Sequence, residues 1–471
     1  MADSYCTPLD ITEIERNFAD IHPAMSAPEA LAEANRCLYC FDAPCMRACP
    51  THIDVPSFIK KIASGNLHGS ARVIFDANPI GATCARVCPV EALCEGACVE
   101  GTLLQKPIEI GRLQRYATDH ALTHGRPIFE KGAPNGRSVG VIGSGPAGLS
   151  CATYLSRLGY DVTVYERKEK AGGLDTYGMA EYKMPQSVSQ SEAEHVAAIG
   201  AKFMLNTEIV KGGAAEPEVL GEVNRVSIDL IREWHDAVFV GVGLGSTNML
   251  GIPGEDFDGV YDALAFIEKI KSREWRSVPL GKTVCVIGAG NTAVDAVTQA
   301  KRLGAEKVVM VYRRTEKEAP AYDYEMELAR KDGIQFVWQA APVGILADDS
   351  GRVKGLRCER TGESHELFEI PCDMVIKAVG QQKLRAFFAD VLGVETDEKG
   401  RVVVNDNMRT SEPQIFAGGD CVNGGAEAVD AAQMGKHAAM GIHSYLTGEE
   451  VEFAGAFVRV PPKAPVDPNP H

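Results

Sequence analysis

The sequence contains no apolar run approaching the ~18 residues that a membrane span requires. Its opening, MADSYCTPLD, has neither a basic n-region nor an apolar h-region. No secretory signal is legible there, and a cytoplasmic location is expected. A basic excess is also missing: 48 Lys and Arg stand against 64 Asp and Glu, a net charge of −16. Nonspecific nucleic-acid binding needs cations to neutralise phosphates and is not expected. The acidic balance reads instead as a solvated surface that aids solubility. Neither a tandem repeat of short period nor a low-complexity tract occurs. In a compartment that keeps thiols reduced, the 14 cysteines are not expected to form a disulfide framework.

What is present is a chain of 471 residues, enough for about three domains. Eight of its cysteines lie between Cys37 and Cys98. The others (Cys6, Cys151, Cys285, Cys358, Cys372 and Cys421) sit mostly among apolar neighbours and read as small buried hydrophobes. Residues 1–125 have helical character, with short helices expected around 30–34 and 57–62. A Gly/Pro-rich linker follows, at 124–127 and 132–136. The proline-rich end at 460–465 reads as extended.

Between linker and end the chain states one grammar twice. A strand at 138–142 enters the turn Gly143-Ser144-Gly145-Pro146-Ala147-Gly148, a helix follows, and a second strand ends in Glu166. In such a turn Gly143 permits the tight bend, Gly145 lets backbone approach a pyrophosphate, and Gly148 allows close helix–strand packing. The helix N-terminus faces the anion, and Glu166 is placed for ribose hydroxyls. Pro146-Ala147 and the later Gly172-Gly173-Leu174 lean toward FAD. The second unit runs from a strand at 283–287 through Gly288-Ala289-Gly290-Asn291-Thr292-Ala293 and a helix to a strand at 308–312. That strand ends not in an acid but in Arg313-Arg314. Guanidinium groups bind a 2′-phosphate that an acid would repel, which favours NADPH. A merely solvated arginine pair would leave NADH open.

The cysteines fall as Cys37-x2-Cys40-x4-Cys45-x3-Cys49-Pro50, then Cys84-x3-Cys88-Pro89 and Cys94-x3-Cys98. The spacing is ferredoxin-like, and eight thiolates suffice for two cubane clusters. A pair of four-cysteine zinc sites is the alternative. Zinc is redox-inert, whereas this block is fused to an electron-producing module, so iron–sulfur is preferred.

The runs 237–243 and 374–380, each β-rich and ending in glycine, and the segment Ile415-Phe416-Ala417-Gly418-Gly419-Asp420 resemble the flavin disulfide-reductase fold. This resemblance implies that Gly380, Gly419 and Asp420 belong to cofactor binding, with Asp420 at the ribityl chain. It also implies a helix from about Ala426 aimed at the isoalloxazine. The expected fold class is α/β, with two Rossmann-like dinucleotide-binding domains preceded by an α-helical iron–sulfur domain. The expected boundaries are 1–125 for the iron–sulfur domain, 137–250 and 373–450 for the two parts of the FAD domain, 251–372 for the NAD(P) domain and 451–471 for a tail.

From Cys37 to about Tyr445 the chain further resembles the FAD-containing half of dihydropyrimidine dehydrogenase and the small subunit of bacterial glutamate synthase. The stretches 37–50 and 107–115 carry the likeness. It implies one [4Fe-4S] cluster on Cys37, Cys40, Cys45 and Cys98, and another on Cys49, Cys88, Cys94 and Gln114, with Cys84 outside both. Gln114 tips the balance toward dihydropyrimidine dehydrogenase, because the glutamate synthase subunit typically has an acid there. No FMN barrel follows residue 450, so the resemblance implies a partner subunit carrying FMN and further iron–sulfur clusters, where uracil or thymine is reduced. The implied reaction is hydride transfer from nicotinamide to FAD, then single electrons through the clusters, with no catalytic acid or base assigned. The small subunit of glutamate synthase, or of another ferredoxin-type oxidoreductase, is the alternative. A scaffold that keeps its cofactors only for structure is the reading from outside enzymology.

Overall fold

The computed structural model describes residues 7–124, 128–212, 218–220, 223–272, 274–362 and 364–454. Cys6, residues 125–127 of the linker and the proline-rich end at 460–465 lie outside them. The chain forms two compact units. One comprises His22–Thr176, Ser187–Leu244 and residues from Lys383 on; the other comprises residues up to Ile21, Tyr177–Gln186 and Gly245–Gln382. Among the described residues no helix is long and apolar enough to cross a membrane.

The first unit begins with short helices, and polar caps explain where several of them start. Ser26 and Glu29 form a capping box at Ala27–Ala34, and Asp54 accepts from Ser57 N at the start of Val55–Ala63. In the latter helix Val55, Phe58, Ile59 and Ile62 are buried, the stripe expected of a helix with one core-facing side. The unit's five-stranded parallel sheet has the order Ile415–Ala417, Ala237–Val240, Ser138–Ile142, Asp161–Tyr165, Lys202–Met204. Its central strands are apolar on both faces because helices cover both. One cover is Pro146–Arg157, against which the helix Ala428–Thr447 packs. A Cβ at Gly435 would stand 2.1 Å from the Ala147 carbonyl oxygen, so only glycine permits this approach.

Glu192 is one of the carboxylates that join the helical segment to this layer. Glu192, on the helix Gln186–Ile199, accepts from Ala82 N (2.7 Å), Thr83 N (3.1 Å) and the Thr83 hydroxyl. It thereby caps the helix Gly81–Val87, which carries Cys84 and leads into Cys88.

The second unit has its own parallel sheet, in the order Gln335–Val337, Lys307–Val311, Thr283–Ile287, Met374–Lys377, Val260–Asp262. A three-stranded antiparallel sheet, Ala340–Ala347, Val353–Arg360 and Leu367–Pro371, accompanies it. Two boundaries differ from the sequence expectation. Residues 7–21 belong here and not with the cysteine-rich helices: Ile14 is buried, Phe18 stacks on Trp275 at 5.5 Å, and Asn17 Nδ2 donates to Arg302 O. The return to the first unit falls at Lys383 rather than at 373. Met374–Lys377 is buried along its whole length and needs a parallel neighbour on each side, which Thr283–Ile287 and Val260–Asp262 supply. Tyr177–Gln186 is also held in this unit. Lys183 Nζ reaches Asp295 and Glu325, and Lys271 Nζ lies 3.5 Å from Glu181.

Burial pushes the Glu192 carboxyl up to about 7, against the opposing pull of its three donors. A folded value above the ordinary one means the folded chain keeps a proton that the unfolded chain has lost. That contribution is complete below the ordinary carboxylate range and disappears as pH rises through about 7. Urea unfolding of the wild type is therefore expected to lose up to about 1.4 kcal/mol per pH unit between pH 5 and 7 from this site. Glu192→Gln mimics the protonated acid and should flatten that slope; equal slopes in both proteins would contradict the assignment.

Candidate functional site

The two glycine turns occupy equivalent places in their sheets. Ser138–Ile142 has Asp161–Tyr165 on one side and Ala237–Val240 on the other, so strand order reverses at its end. Thr283–Ile287 stands in the same way between Lys307–Val311 and Met374–Lys377. Such reversal points are where open α/β sheets bind ligands.

Two kinds of glycine fill the first turn. Gly143 has φ +95°, and a Cβ there would lie 2.6 Å from Gly241 O; one at Gly148 would lie 2.0 Å from Gly143 O. Both answer to the protein's own packing. Gly145 does not: its φ of −69° suits any residue, and no atom comes nearer to a built Cβ than Gly173 Cα at 3.9 Å. The open space lies at the start of Pro146–Arg157, whose first N–H groups receive no side-chain cap. Amide donors without a side-chain cap, beside a bare backbone, fit a dinucleotide pyrophosphate. Glu166 is held beside them, accepting from Ser144 N (3.0 Å), Ser144 Oγ (2.6 Å) and Lys168 N (2.9 Å). Gly172 N donates to Ser144 O, and Gly173 packs directly on Gly145. Leu174, partly exposed, opens the short helix Leu174–Tyr177. Gly419 abuts Ala147, where a built Cβ would come within 3.1 Å of the alanine's. Asp420 is half-buried, desolvation raises its carboxyl, and Oδ1 accepts from Ala426 N just before Ala428–Thr447.

The second turn repeats this division. Gly288, φ +130°, would bring a Cβ 2.3 Å from Ala378 O, whereas Gly290, φ −90°, has nothing nearer than Pro320 Cγ at 3.8 Å. The helix Asn291–Arg302 again starts without a side-chain cap. Asn291 Oδ1 accepts from Tyr322 N and pins the following loop beside the turn; Thr292 is half-buried and Ala293 buried. Arg313 and Arg314 are exposed, and neither guanidinium is ion-paired among the described residues. The Gly380 carbonyl accepts from Asn248 N where residues 245–248 and 380–382 pair antiparallel.

Cys37, Cys40, Cys45 and Cys98 line one cavity, walled by Val55, Ile59, Ile108 and Ile110. Burial, and then Cys98 and Cys37, push the Cys45 thiol up to about 12. Thiols packed this way ionise only against a compensating cation, which the irons of a cluster supply. Among the described residues no three His, Cys, Asp or Glu side chains are arranged to hold a single metal ion. Four thiols around one cavity are compatible with a polynuclear core. Cys88 and Cys94 form a second group near Cys49: the hydrogen bond with Cys84 and then burial push the Cys88 thiol well up, and burial and then Cys49 push the Cys94 thiol well up. Gln114 is buried, and its Nε2 donates to Gly81 O at 2.7 Å, so its oxygen is the atom able to act as an acceptor. Cys84 belongs to the buried cluster that includes Val139, Val141 and Ala147, and it lies within hydrogen-bonding reach of Cys88 and Asn78. Cys151, Cys285, Cys358, Cys372 and Cys421 are buried.

Three residues here have no sequence motif. Glu192 and Thr51 look ordinary in the sequence. Lys436 is fully buried, and burial drives its ammonium down to about 7. A signal existed only for the last: one lysine on the small, apolar face of Ala431–Ala439.

Two turns whose geometry fits dinucleotides, with a cysteine-lined segment packed in the unit of the first, point to a flavin–nicotinamide oxidoreductase with an iron–sulfur domain. Residues 137–435 match the family described as pyridine nucleotide-disulphide oxidoreductase, and residues 14–126 match dihydropyrimidine dehydrogenase domain II, 4Fe-4S cluster. The glutamate synthase [NADPH] small chain of Escherichia coli (strain K12) is 34% identical, covering 93% of this chain and 96% of that one. The NAD-dependent dihydropyrimidine dehydrogenase subunit PreT of the same organism is 33% identical, covering 92% and 98%. Thioredoxin reductase of T. acidophilum shares the fold, with TM-score 0.53 at 23% identity over 65% of this chain and 98% of its own. The chain belongs to the pyridine nucleotide-disulphide oxidoreductase family. It is an NAD(P)H-dependent flavin enzyme with a 4Fe–4S domain.

Because neither backbone angle nor packing demands glycine at 290, its removal separates binding from folding. Gly290→Ala should keep bound flavin and the wild-type unfolding midpoint while weakening NAD(P)H at least about tenfold, a loss of ~1.4 kcal/mol. Gly288→Ala should instead lower the unfolding midpoint. Equal loss of stability in the two variants would contradict this division.

Proposed function

We propose that the chain is the electron-input subunit of a heteromeric oxidoreductase, and specifically of a dihydropyrimidine dehydrogenase. One observation carries the reading: seven cysteines and Gln114 gather in the unit that holds the first glycine turn. When bound, FAD accepts hydride from NAD(P)H and releases single electrons to iron–sulfur centres. The chain's own residues position these groups. Gly145 and the N-terminus of Pro146–Arg157 take the FAD pyrophosphate, with Glu166 at the ribose and Asp420 at the far end of the cofactor. Gly290 and the start of Asn291–Arg302 take the nicotinamide dinucleotide. Cys37, Cys40, Cys45 and Cys98 hold one [4Fe-4S] cluster, and Cys49, Cys88, Cys94 and Gln114 hold a second. No side chain has to move a proton, since hydride transfer depends on stacking and orientation.

The finer assignment rests on Gln114, a neutral amide where an acid would favour glutamate synthase. A heteromer is supported by the relatives' names, subunit and small chain. The partner proposed is one carrying FMN and iron–sulfur. A specific observation favours the second reading. Arg313 and Arg314 suit NADPH, and the relative named for NADPH is the glutamate synthase small chain, whereas the dihydropyrimidine dehydrogenase subunit is named NAD-dependent.

Replacing both Arg313 and Arg314 with alanine should weaken NADPH about ten- to a hundredfold and leave NADH nearly unchanged, since a charge-assisted contact contributes ~1.5–3 kcal/mol. A wild type that prefers NADH would remove the basis for this. The functional test is reconstitution. The chain alone should oxidise NAD(P)H with an artificial acceptor but not reduce uracil, and an FMN-containing partner should confer uracil-dependent NAD(P)H consumption. Coupling to a glutamate-forming amidotransferase instead would establish the second reading.

A further inference from the structure

The loop that follows Cys49 contains two fully buried polar groups that belong to no motif. Thr51 has no exposed surface, and its Oγ1 lies 3.4 Å from Cys49 Sγ. That sulfur is the hydroxyl's single hydrogen-bond partner among the described residues. In a free thiol either atom could donate. Once the sulfur is a metal-bound thiolate it has no proton, so the hydroxyl must donate to it. The backbone of Thr51 is fixed from the other side: Lys436 Nζ, itself without exposed surface, donates to Thr51 O at 3.2 Å and to Ala454 O at 2.7 Å. Lys436 is carried on Ala428–Thr447, the helix whose start lies just past Asp420. Burying a long cationic side chain is costly unless it is hydrogen-bonded, and here its bonds go to the backbone of the ligand loop and of the C-terminal segment.

We infer that Thr51 is a positioning residue that donates a hydrogen bond to the Cys49 thiolate and, clamped by Lys436, raises the reduction potential of the cluster that Cys49 serves. This rests on the reading of Cys49 as an iron–sulfur ligand. Hydrogen bonds to cluster sulfurs remove electron density from the core and favour its reduced form. Cys49 is packed in the core beside Ile53, Val55 and Phe58, with the buried Lys436 amine nearby, so the hydroxyl's donation acts with little screening by solvent. The effect is local. Cys37, Cys40, Cys45 and Cys98 line a different cavity, and Thr51 is not among its walls.

The test uses the full chain with its cofactors loaded. Redox titration followed by EPR should show one cluster shifted to lower potential in Thr51→Val, which keeps the shape and loses the hydroxyl, with the other cluster unmoved. Thr51→Ser should restore the wild-type value. Lys436→Met, which removes the clamp, should move the same cluster and no other. Resonance Raman of the oxidised wild type should show an iron–thiolate stretch that shifts in D2O. If Thr51→Val loses its iron, the presence or absence of that D2O shift decides the question. Full iron content with unchanged potentials in Thr51→Val, or no D2O shift, would overturn the inference alone. Wild-type protein that binds no iron would overturn the ligand reading beneath it.

Discussion

Two carbonyl oxygens set the terms for the nucleotide sites. A Cβ at Gly143 would meet Gly241 O at 2.6 Å, and one at Gly288 would meet Ala378 O at 2.3 Å. Each turn is pressed against the chain leaving the neighbouring strand, so each parallel sheet reverses its strand order beside a bare backbone. The helices Pro146–Arg157 and Asn291–Arg302 start there with uncapped amides, and the space over Gly145 and Gly290 stays open. Side chains at the tight positions would force strand, turn and helix apart. At the open ones they would intrude only on a ligand.

Close approach governs the next layer outward as well. Gly435 lets Ala428–Thr447 lie on Ala147, and this brings Lys436 to Thr51 O. Glu192 reaches from the same unit to cap Gly81–Val87. The cysteine-bearing loops are thus held by buried polar groups supplied from the flavin side, in addition to their own core. Groups buried this deeply must be fully hydrogen-bonded to be tolerated, so the loops have little freedom to shift. A rigid mount lowers the reorganisation that accompanies electron transfer, and this bears on the proposed function.

Relatives at nearly equal identity serve two different partners by name, a glutamate synthase and a dihydropyrimidine dehydrogenase. The shared scaffold explains the common first half of the reaction, and its core residues cannot separate the two. In the proposed function, discrimination falls to few positions: Gln114 among the proposed ligands, and Arg313 with Arg314 at the end of the nucleotide strand.

The sequence alone determined the chemistry that is written locally. Strand, glycine turn and helix within some twenty residues read directly as dinucleotide sites, because each requirement falls on neighbours in the chain. The cysteine spacing pointed to clusters for the same reason, and family resemblance divided the ligands between them. Tertiary structure decided what depends on contacts between distant segments. Residues 7–21 join the second unit because Phe18 finds Trp275 more than 250 positions away, and Met374–Lys377 stays in that unit because a strand buried on both faces needs two neighbours. Glu192 and Lys436 acquire meaning only through partners over 100 or 380 residues distant. A buried polar group is defined by what surrounds it, and no local pattern records that.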